Sequence, residues 1–126
     1  MSLAEVGSMG QNIRVSRAGE LLLPSCYNAS TWQQRARGLI GRPKELAAGG
    51  LLLYPCSSIH NFFMSYAIDA VFLDSSGRII KVTRDFRPWH PYAGTFKAMA
   101  TLELLAGKVG ELGLKVGDLL TFNPAT

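Results

Sequence analysis

Residues 71–82 read VFLDSSGRIIKV, and this stretch predicts an antiparallel β-hairpin. Asp74 can accept hydrogen bonds from backbone N–H groups of the turn, and Gly77 can take the positive φ that a short loop requires. Residues 71–73 are therefore expected to pair with residues 78–82. Apolar and polar residues alternate along the second strand, which is typical of a sheet with one solvated face.

Other segments also predict β-strands, because they are rich in branched and aromatic residues and are separated by glycine and proline turns. They cover residues 20–27, 51–54, 59–64, 67–73 and 119–122. Residues 98–105 are open between a strand and a helical turn, since their periodicity fits both.

One helix is predicted between residues 30 and 40. A serine or threonine at its start can cap the first N–H groups, and Trp32, Ala36 and Leu39 recur at helical spacing as an apolar stripe. Together the elements predict a mainly β fold, a small antiparallel sandwich or a partly open barrel with one short helix packed on it.

Length and composition indicate a single globular domain. The chain has 126 residues, of which 48% are hydrophobic and 17% charged, and this balance excludes intrinsic disorder. We expect one domain over residues 13–126. Residues 1–12 are expected to be a flexible N-terminus or a remnant of an expression vector.

Cys26 and Cys56 are the two cysteines of the sequence. Their separation excludes a C-x-x-C redox motif and a cysteine-only zinc site. They can form one disulfide or remain two thiols. We favour buried thiols, because free cysteine behaves as a small hydrophobic residue.

The sequence predicts no membrane span, because its longest apolar stretch, residues 46–56, is interrupted by glycines and a proline and is shorter than the ~18 residues required. The first ten residues, MSLAEVGSMG, lack the basic and apolar regions of a signal peptide. The compartment is left open.

Asp69 is surrounded in the sequence by Ile68, Ala70, Val71 and Phe72. A carboxylate in such a position must be paired, hydrogen-bonded or protonated, since burying it unpaired costs several kcal/mol. Asp69 is therefore either an anchor for backbone N–H groups or a functional acid.

The two histidines, His60 and His90, could form a metal site with Asp69 and Glu103. No pair of these residues has the spacing of a known metal motif, so we expect neither a metal nor another cofactor. Cys56 and His60 could form a nucleophile–base pair only if the chain between them is not extended, because four positions along a strand span roughly 13 Å.

Residues 78–97 concentrate the basic charge. They hold five Lys or Arg residues against one Asp, with Phe86, Trp89, Tyr92 and Phe96 interleaved. This pattern is compatible with single-stranded nucleic acid or an acidic polymer. We prefer a proline-rich loop, residues 87–92, that packs its aromatic side chains over one end of the sandwich. Nucleic acid is not an expected partner, because the other basic residues are scattered.

Six motifs, in order along residues 15–123, resemble those of the domain of unknown function 192 (DUF192) family. They are Thr31…RGLIGR (37–42), GLLL (50–53), HNFFM (60–64), IDAVFLD (68–74), LELLAG (102–107) and Gly117-Asp118. The resemblance implies a compact, mainly β domain from a family of small bacterial and archaeal proteins, often carried behind an export signal. From it we expect a bacterial protein.

The family pattern centres on the Phe-Phe-Met segment, Asp69 and Glu103, which raises these positions above His90 and Cys26. Relatives tend to carry a basic or amide residue and a proline where this chain has Ser65-Tyr66-Ala67. No role is therefore expected for a charged side chain just after Met64. The resemblance implies no established activity.

We hypothesise a binding module for a small molecule or an envelope protein, because such pockets combine aromatic side chains with a few polar groups. Its groove would be lined by Phe62, Phe63, Met64 and Trp89, with Arg37, Asp69 and Glu103 as polar anchors.

The alternative is a hydrolase-type enzyme in which Asp69 or Glu103 is the general acid or base and His60 assists. Convergence of these three side chains in one pocket would favour the enzyme. A third possibility is that the Phe-Phe-Met segment only fills the core. Whether the protein is an enzyme, and its oligomeric state, are left open.

Overall fold

The computed structural model describes residues 1–125, which form nine strands and four short helices. The strands are β1 (Ile13–Arg17), β2 (Glu20–Ala29), β3 (Leu51–Leu53), β4 (Ser58–Ile59), β5 (Ile68–Leu73), β6 (Ile79–Phe86), β7 (Ala93–Gly94), β8 (Ala100–Leu105) and β9 (Leu120–Pro124). The helices are α1 (Leu3–Gly7), α2 (Trp32–Arg37), α3 (Lys44–Gly49) and α4 (Lys108–Leu112).

Seven strands form one mixed sheet in the order β6-β5-β8-β3-β2-β1-β9, and β4 pairs with β7 in a second, two-stranded sheet. The β2–β3 pair is parallel, and the other pairs of the large sheet are antiparallel. The connection between the parallel strands carries α2 and α3, since parallel neighbours need a crossover.

The two outer strands of the large sheet approach each other at one end. Arg78 and Leu119 form a single bridge there, and Leu120 donates its backbone N–H to the Gly77 carbonyl at 2.9 Å. Ile79 also donates its N–H to the Asp118 carbonyl, and Gly117 donates to the Ile79 carbonyl, each at 2.8 Å. These contacts lie at one end, and the sheet is not closed into a barrel. The predicted mainly β class is confirmed, with one parallel pair and three more helices than the single one expected.

The predicted hairpin is confirmed as β5 and β6, in which Leu73 pairs with Ile79. Asp74 Oδ1 accepts hydrogen bonds from the backbone N–H groups of Ser76 at 2.9 Å and Arg78 at 3.0 Å. Gly77 has φ +91°, so the turn uses glycine where other residues would be strained.

The predicted helix is present but shorter, because α2 ends at Gly38, where φ is +53°. Thr31 and Gln34 form a capping box at its start. The predicted apolar stripe is wrong, since Trp32 is 68% exposed and no residue of α2 is buried. Leu39 is buried, but it lies after the helix.

The predicted strand over residues 59–64 is wrong beyond β4, because the chain turns at Phe62 and Phe63. Asn61 holds this turn against the loop after β6. Its backbone N–H donates to the His90 carbonyl at 3.0 Å, and its side-chain Nδ2 donates to the Phe86 carbonyl at 2.7 Å. The expected alternation of side chains along 59–64 therefore does not occur.

Each face of the large sheet carries its own hydrophobic cluster. Along β5, Val71 and Leu73 belong to one cluster, while Ala70 and Phe72 belong to the other. Residues 98–105, which the sequence left open, form a strand from Ala100, because neighbours pair with it on both sides.

The N-terminal segment, expected to be flexible, contains α1. Leu3 and Val6 are buried in the first cluster. Asn28 Nδ2 donates to the Val6 carbonyl at 2.8 Å and to the Met9 carbonyl at 2.6 Å. These contacts tie residues 3–9 to β2.

Candidate functional site

A pocket of about 210 Å³ lies between the end of α2, the end of β3, the loop around β4, and β8. Glu103 of β8 contributes its acidic group. The residues that line the pocket are Arg35, Ala36, Arg37, Gly38, Leu39, Ile40, Leu53, Cys56, Ser58, Ile59, His60, Asn61, Met64 and Glu103.

Glu103 is a buried acid in this pocket. It sits in the middle of the sheet, opposite Leu51 of β3 and Ala70 of β5, and it is 5% exposed. Its Oε1 atom has no hydrogen-bond partner among the described residues. Burial raises the pKa of its carboxyl to about 7, since a low dielectric disfavours the charged form.

Gly38 makes room for the Glu103 carboxyl. A Cβ atom at this position would lie 3.2 Å from Glu103 Oε1. The backbone angles of Gly38, φ +53° and ψ −125°, are also unfavourable for any residue with a Cβ. Position 38 therefore favours glycine for two reasons, its backbone conformation and the closeness of the Glu103 carboxyl.

Arg35 and Arg37 line the pocket but hydrogen-bond to backbone carbonyls. Arg35 Nη1 donates to the carbonyls of Ser30 and Tyr54, each at 3.1 Å. Arg37 Nε donates to the Ile40 carbonyl at 2.9 Å. Neither arginine forms a salt bridge with Glu103, and no such pair is found within residues 1–125.

Asn61 and His60 bring further polar atoms to the pocket. Asn61 is fully buried, and its Oδ1 has no partner within residues 1–125. The backbone N–H of Phe62 donates to His60 Nδ1 at 3.3 Å. A neutral His60 ring in this arrangement carries its proton on Nε2.

Cys56 lines the same pocket, whereas Cys26 lies in the core, and both are free thiols. Burial raises the pKa of the Cys56 thiol, and the neighbouring Glu103 charge adds to the rise. Burial raises the pKa of Cys26 to about 12. Both side chains therefore stay protonated at neutral pH and are weak nucleophiles.

Asp69 lies elsewhere and serves the backbone. Its Oδ1 accepts from the Asp85 N–H at 2.9 Å, and its Oδ2 accepts from the N–H groups of Gly107 and Val109, both at 3.0 Å. Asp69 does not line the pocket. The structure therefore brings His60 and Glu103 together and leaves Asp69 apart.

The expected aromatic residues form a cluster beside the pocket rather than its lining. The Trp89 ring lies 6.0 Å from the Phe62 ring and 5.1 Å from the Phe63 ring, between centroids. The Phe62 ring in turn lies 5.0 Å from the ring of His60. Met64 is the member of the Phe-Phe-Met segment that lines the pocket, and it is buried.

The aromatic side chains of the basic segment 78–97 are only partly packed against the fold. Phe86 packs in the core, but Trp89, Tyr92 and Phe96 are 61%, 62% and 89% exposed. The predicted packing of the aromatic side chains of loop 87–92 over one end of the sheet is therefore wrong, because Trp89 and Tyr92 are exposed. Trp89 has φ +67°, a backbone conformation uncommon for an aromatic residue.

His90 does not join His60. Its Nδ1 lies 2.9 Å from the Arg87 carbonyl, and its ring packs on Phe86. Among residues 1–125, no three His, Cys, Asp or Glu side chains are placed to hold a metal ion. In the same part of the chain, no helix has the length and apolar character needed to cross a membrane.

Gly38, Arg35, Asn61 and Cys56 were not among the predicted site residues. Gly38 and Asn61 lie within the RGLIGR and HNFFM motifs, which was the available signal. A glycine followed by Leu-Ile is typical of a helix end, however, and nothing in the sequence shows that it faces a carboxyl sixty-five positions away.

Two archaeal relatives resemble most of the chain. A UPF0127 protein of Thermococcus sibiricus is 36% identical over 95 residues, which is 71% of this chain and 60% of that protein. A UPF0127 protein of Pyrococcus horikoshii is 34% identical over 93 residues, covering 71% of this chain and 80% of that one. The chain thus spans less than two thirds of the Thermococcus protein. These archaeal sources do not support the expected bacterial origin.

Two solved bacterial structures share the fold. A protein of unknown function from Novosphingobium aromaticivorans has a TM-score of 0.71 at 20% identity, covering 87% of this chain and 83% of that chain. A Sinorhizobium meliloti protein has a TM-score of 0.72 at 23% identity, covering 89% and 92%. The model of the DUF192 family, described as an uncharacterized ACR, matches residues 14–122. The chain therefore belongs to the DUF192 family, as its motifs indicated.

Proposed function

We propose that this protein is a small-ligand-binding β domain and that the Glu103 pocket is its binding site. The carrying observation is the buried Glu103 carboxyl, which lines the pocket and whose Oε1 has no hydrogen-bond partner among the residues that the structure describes. An unpaired buried acid costs about 1–3 kcal/mol or more. A ligand that hydrogen-bonds to it would recover this free energy.

The pocket volume sets the size of the ligand. A dry cavity of about 150 Å³ is enough to bind benzene, and this pocket measures about 210 Å³. A single ring with one or two substituents therefore fits. Leu39, Leu53 and Met64 supply apolar contacts, while Glu103, Asn61 and the arginines supply polar ones. This mixture is typical of small-molecule sites.

The cluster of Phe62, Phe63 and Trp89 would extend the site for a larger ligand or a partner segment. Phe63 is 67% exposed. A cluster of exposed aromatic side chains favours contact with a partner, because burial removes apolar surface from water. The ring of His60 connects this cluster to the pocket. Arg37 would offer its remaining N–H groups at the rim.

A fragment screen by ¹H–¹⁵N NMR on the full chain tests the proposal. The library holds neutral, cationic and anionic single-ring compounds. We expect hits to shift the amide signals of Gly38, His60 and Asn61 first, and Glu103→Gln to remove or weaken most of them. Glu111→Gln is the matched control, because it removes an exposed carboxylate on α4. The proposal would be contradicted if the shifted amide signals were scattered over the surface, or if the hits bound Glu103→Gln as tightly as the wild type.

The second candidate is a hydrolase-type enzyme, favoured by the pKa of about 7 for the Glu103 carboxyl. Such a value suits a general acid or base at neutral pH, and His60 lines the same pocket. Hydrolysis of p-nitrophenyl acetate, measured against pH, tests it. We expect a rate inflection near neutrality that Glu103→Gln abolishes, and an unchanged rate in that variant excludes this role for Glu103.

A further inference from the structure

The hydrogen-bonding groups of the Glu103 pocket are unbalanced. Two of its buried oxygen atoms, Glu103 Oε1 and Asn61 Oδ1, have no partner within residues 1–125, and both are acceptors when Glu103 is ionised. An amide oxygen accepts only, and an ionised carboxylate accepts through both oxygens. The ligand must therefore bring donors.

Among residues 1–125, none of the nearby arginines donates a hydrogen bond to Glu103 or Asn61. Arg35 donates to the carbonyls of Ser30 and Tyr54, and Arg37 donates to the Ile40 carbonyl. Arg42 donates its Nε proton to the Gly38 carbonyl and stacks over the Tyr27 ring. These arginines hold the loop around the pocket, and in the described part of the chain none forms a salt bridge with the buried Glu103 carboxyl.

We infer that the natural ligand of this pocket carries a small planar cation with paired N–H donors, an amidinium or a guanidinium group, and that this group binds the Glu103 carboxylate. The inference rests on the proposed function. Such a cation makes two parallel hydrogen bonds to a carboxylate, which is the strongest geometry available to that group. Inside the pocket the attraction between the two charges is stronger than in water, because the dielectric is lower, although taking the cation out of water costs free energy.

The pH dependence of binding follows from the protonation state of Glu103. The cation binds the ionised carboxylate, so binding releases the proton that the acid holds below neutrality. The ionisable side chains around Glu103 are Arg35 and Arg37 beside α2, Cys56 and His60 of the loop around β4, and Tyr66, with Glu45 and Arg42 beyond it. His60 requires a control, because it lines the same pocket.

Benzamidine, benzamide and benzoate are the probes, because they share one shape and carry positive, zero and negative charge. Titrations of the full chain by ¹H–¹⁵N NMR or calorimetry give the affinities. We expect benzamidine to bind at the pocket, about tenfold more tightly at pH 8 than at pH 6. Glu103→Gln should weaken benzamidine at least about tenfold, whereas Glu111→Gln should not. His60→Gln should keep the pH dependence.

Three outcomes overturn the inference. If benzoate or benzamide binds as tightly as benzamidine, the pocket does not select a cation. The inference then fails, while the proposed ligand-binding function stands. If benzamidine binds without pH dependence in both the wild type and His60→Gln, the carboxylate is not its partner. If none of the probes shifts pocket signals, the inference fails, and the fragment screen decides the proposed function separately.

Discussion

Asp69 and Glu103 lie on opposite faces of the same sheet. In the β5–β8 pairing Asp69 faces Leu104, while its neighbour Ala70 faces Glu103. Residues directly opposite each other project to the same face, and successive residues alternate. The two acids therefore cannot share a site, although the sequence made both of them candidates for one.

Glu103→Gln is expected to stabilise the protein at high pH. The carboxyl has a pKa of about 7 in the folded protein, against an ordinary value of 4.5. Between these two pH values the folded state therefore binds more protons than the unfolded state. Wild-type stability therefore falls as pH rises from 4.5 towards 7, and the full penalty, about 3 kcal/mol, is present above that range.

We expect the melting temperature of Glu103→Gln to exceed that of the wild type by roughly 10 °C at pH 8 and by much less at pH 5. Thermal unfolding followed by circular dichroism at the two pH values measures this. A difference of equal size at both would show that the side chain is not titrating as described.

Gly38→Ala is expected to destabilise the fold and to block the pocket. The added Cβ would meet Glu103 Oε1 at 3.2 Å, and the positive φ alone costs about 1–3 kcal/mol. Gly113→Ala is the matched control, because Gly113 also has a positive φ, +66°, but no atom within 4 Å of the added Cβ. Urea unfolding and benzamidine titration should show both variants destabilised and only Gly38→Ala unable to bind. Normal binding by Gly38→Ala would disprove the contact.

Asp69→Ala is expected to destabilise the protein by about 3–5 kcal/mol, because three backbone N–H groups lose their acceptor. Asp69→Asn, which keeps one acceptor oxygen, should lose less. Urea denaturation measures both. Where Asp69→Asn is folded, its affinity for benzamidine should match the wild type, and a selective loss of binding would place Asp69 in the site after all.

Phe63→Ala is expected to leave the small probe unaffected. Phe63 does not line the pocket, and it contacts Trp89 on the surface. Benzamidine affinity should change less than about twofold, and stability by about 1 kcal/mol or less, since Phe63 is mostly exposed. Larger ligands found in the screen should bind more weakly to Phe63→Ala than to the wild type. Equal affinity of Phe63→Ala for every such ligand would remove the aromatic cluster from the site.

Alkylation should distinguish the two cysteines. Cys56 lines the pocket, whereas Cys26 is fully buried, so iodoacetamide should modify Cys56 slowly and Cys26 only after unfolding. Saturating benzamidine should slow the modification of Cys56 further by covering it. Peptide mass spectrometry follows both sites, and modification of Cys56 at an unchanged rate would place the probe outside the pocket.

Local sequence signals predicted those parts of the structure that local contacts fix. The hairpin turn depends on Asp74 and Gly77, which bind and bend the backbone within four residues. The start of α2 depends in the same way on Thr31 and Gln34. The β class followed because branched and aromatic residues recur in short runs.

Sequence patterns failed where distant contacts override local preference. Residues 59–64 have the composition of a strand, but hydrogen bonds from Asn61 to Phe86 and His90 turn the chain instead. The apolar stripe of α2 failed because the helix stops at Gly38 before Leu39 can complete it. Neither the partner loop nor the stopping point is visible in a local pattern.

The sequence by itself determined the β class and the hairpin, and it made Glu103 and His60 candidates for a site, because these follow from residue types, turn chemistry and family motifs. Only the tertiary structure decided that Glu103 shares a pocket with Gly38 and Asn61 and that Asp69 does not. The physical reason is strand register. A shift of one residue in the β5–β8 pairing would move every side chain to the other face, and register depends on the whole sheet.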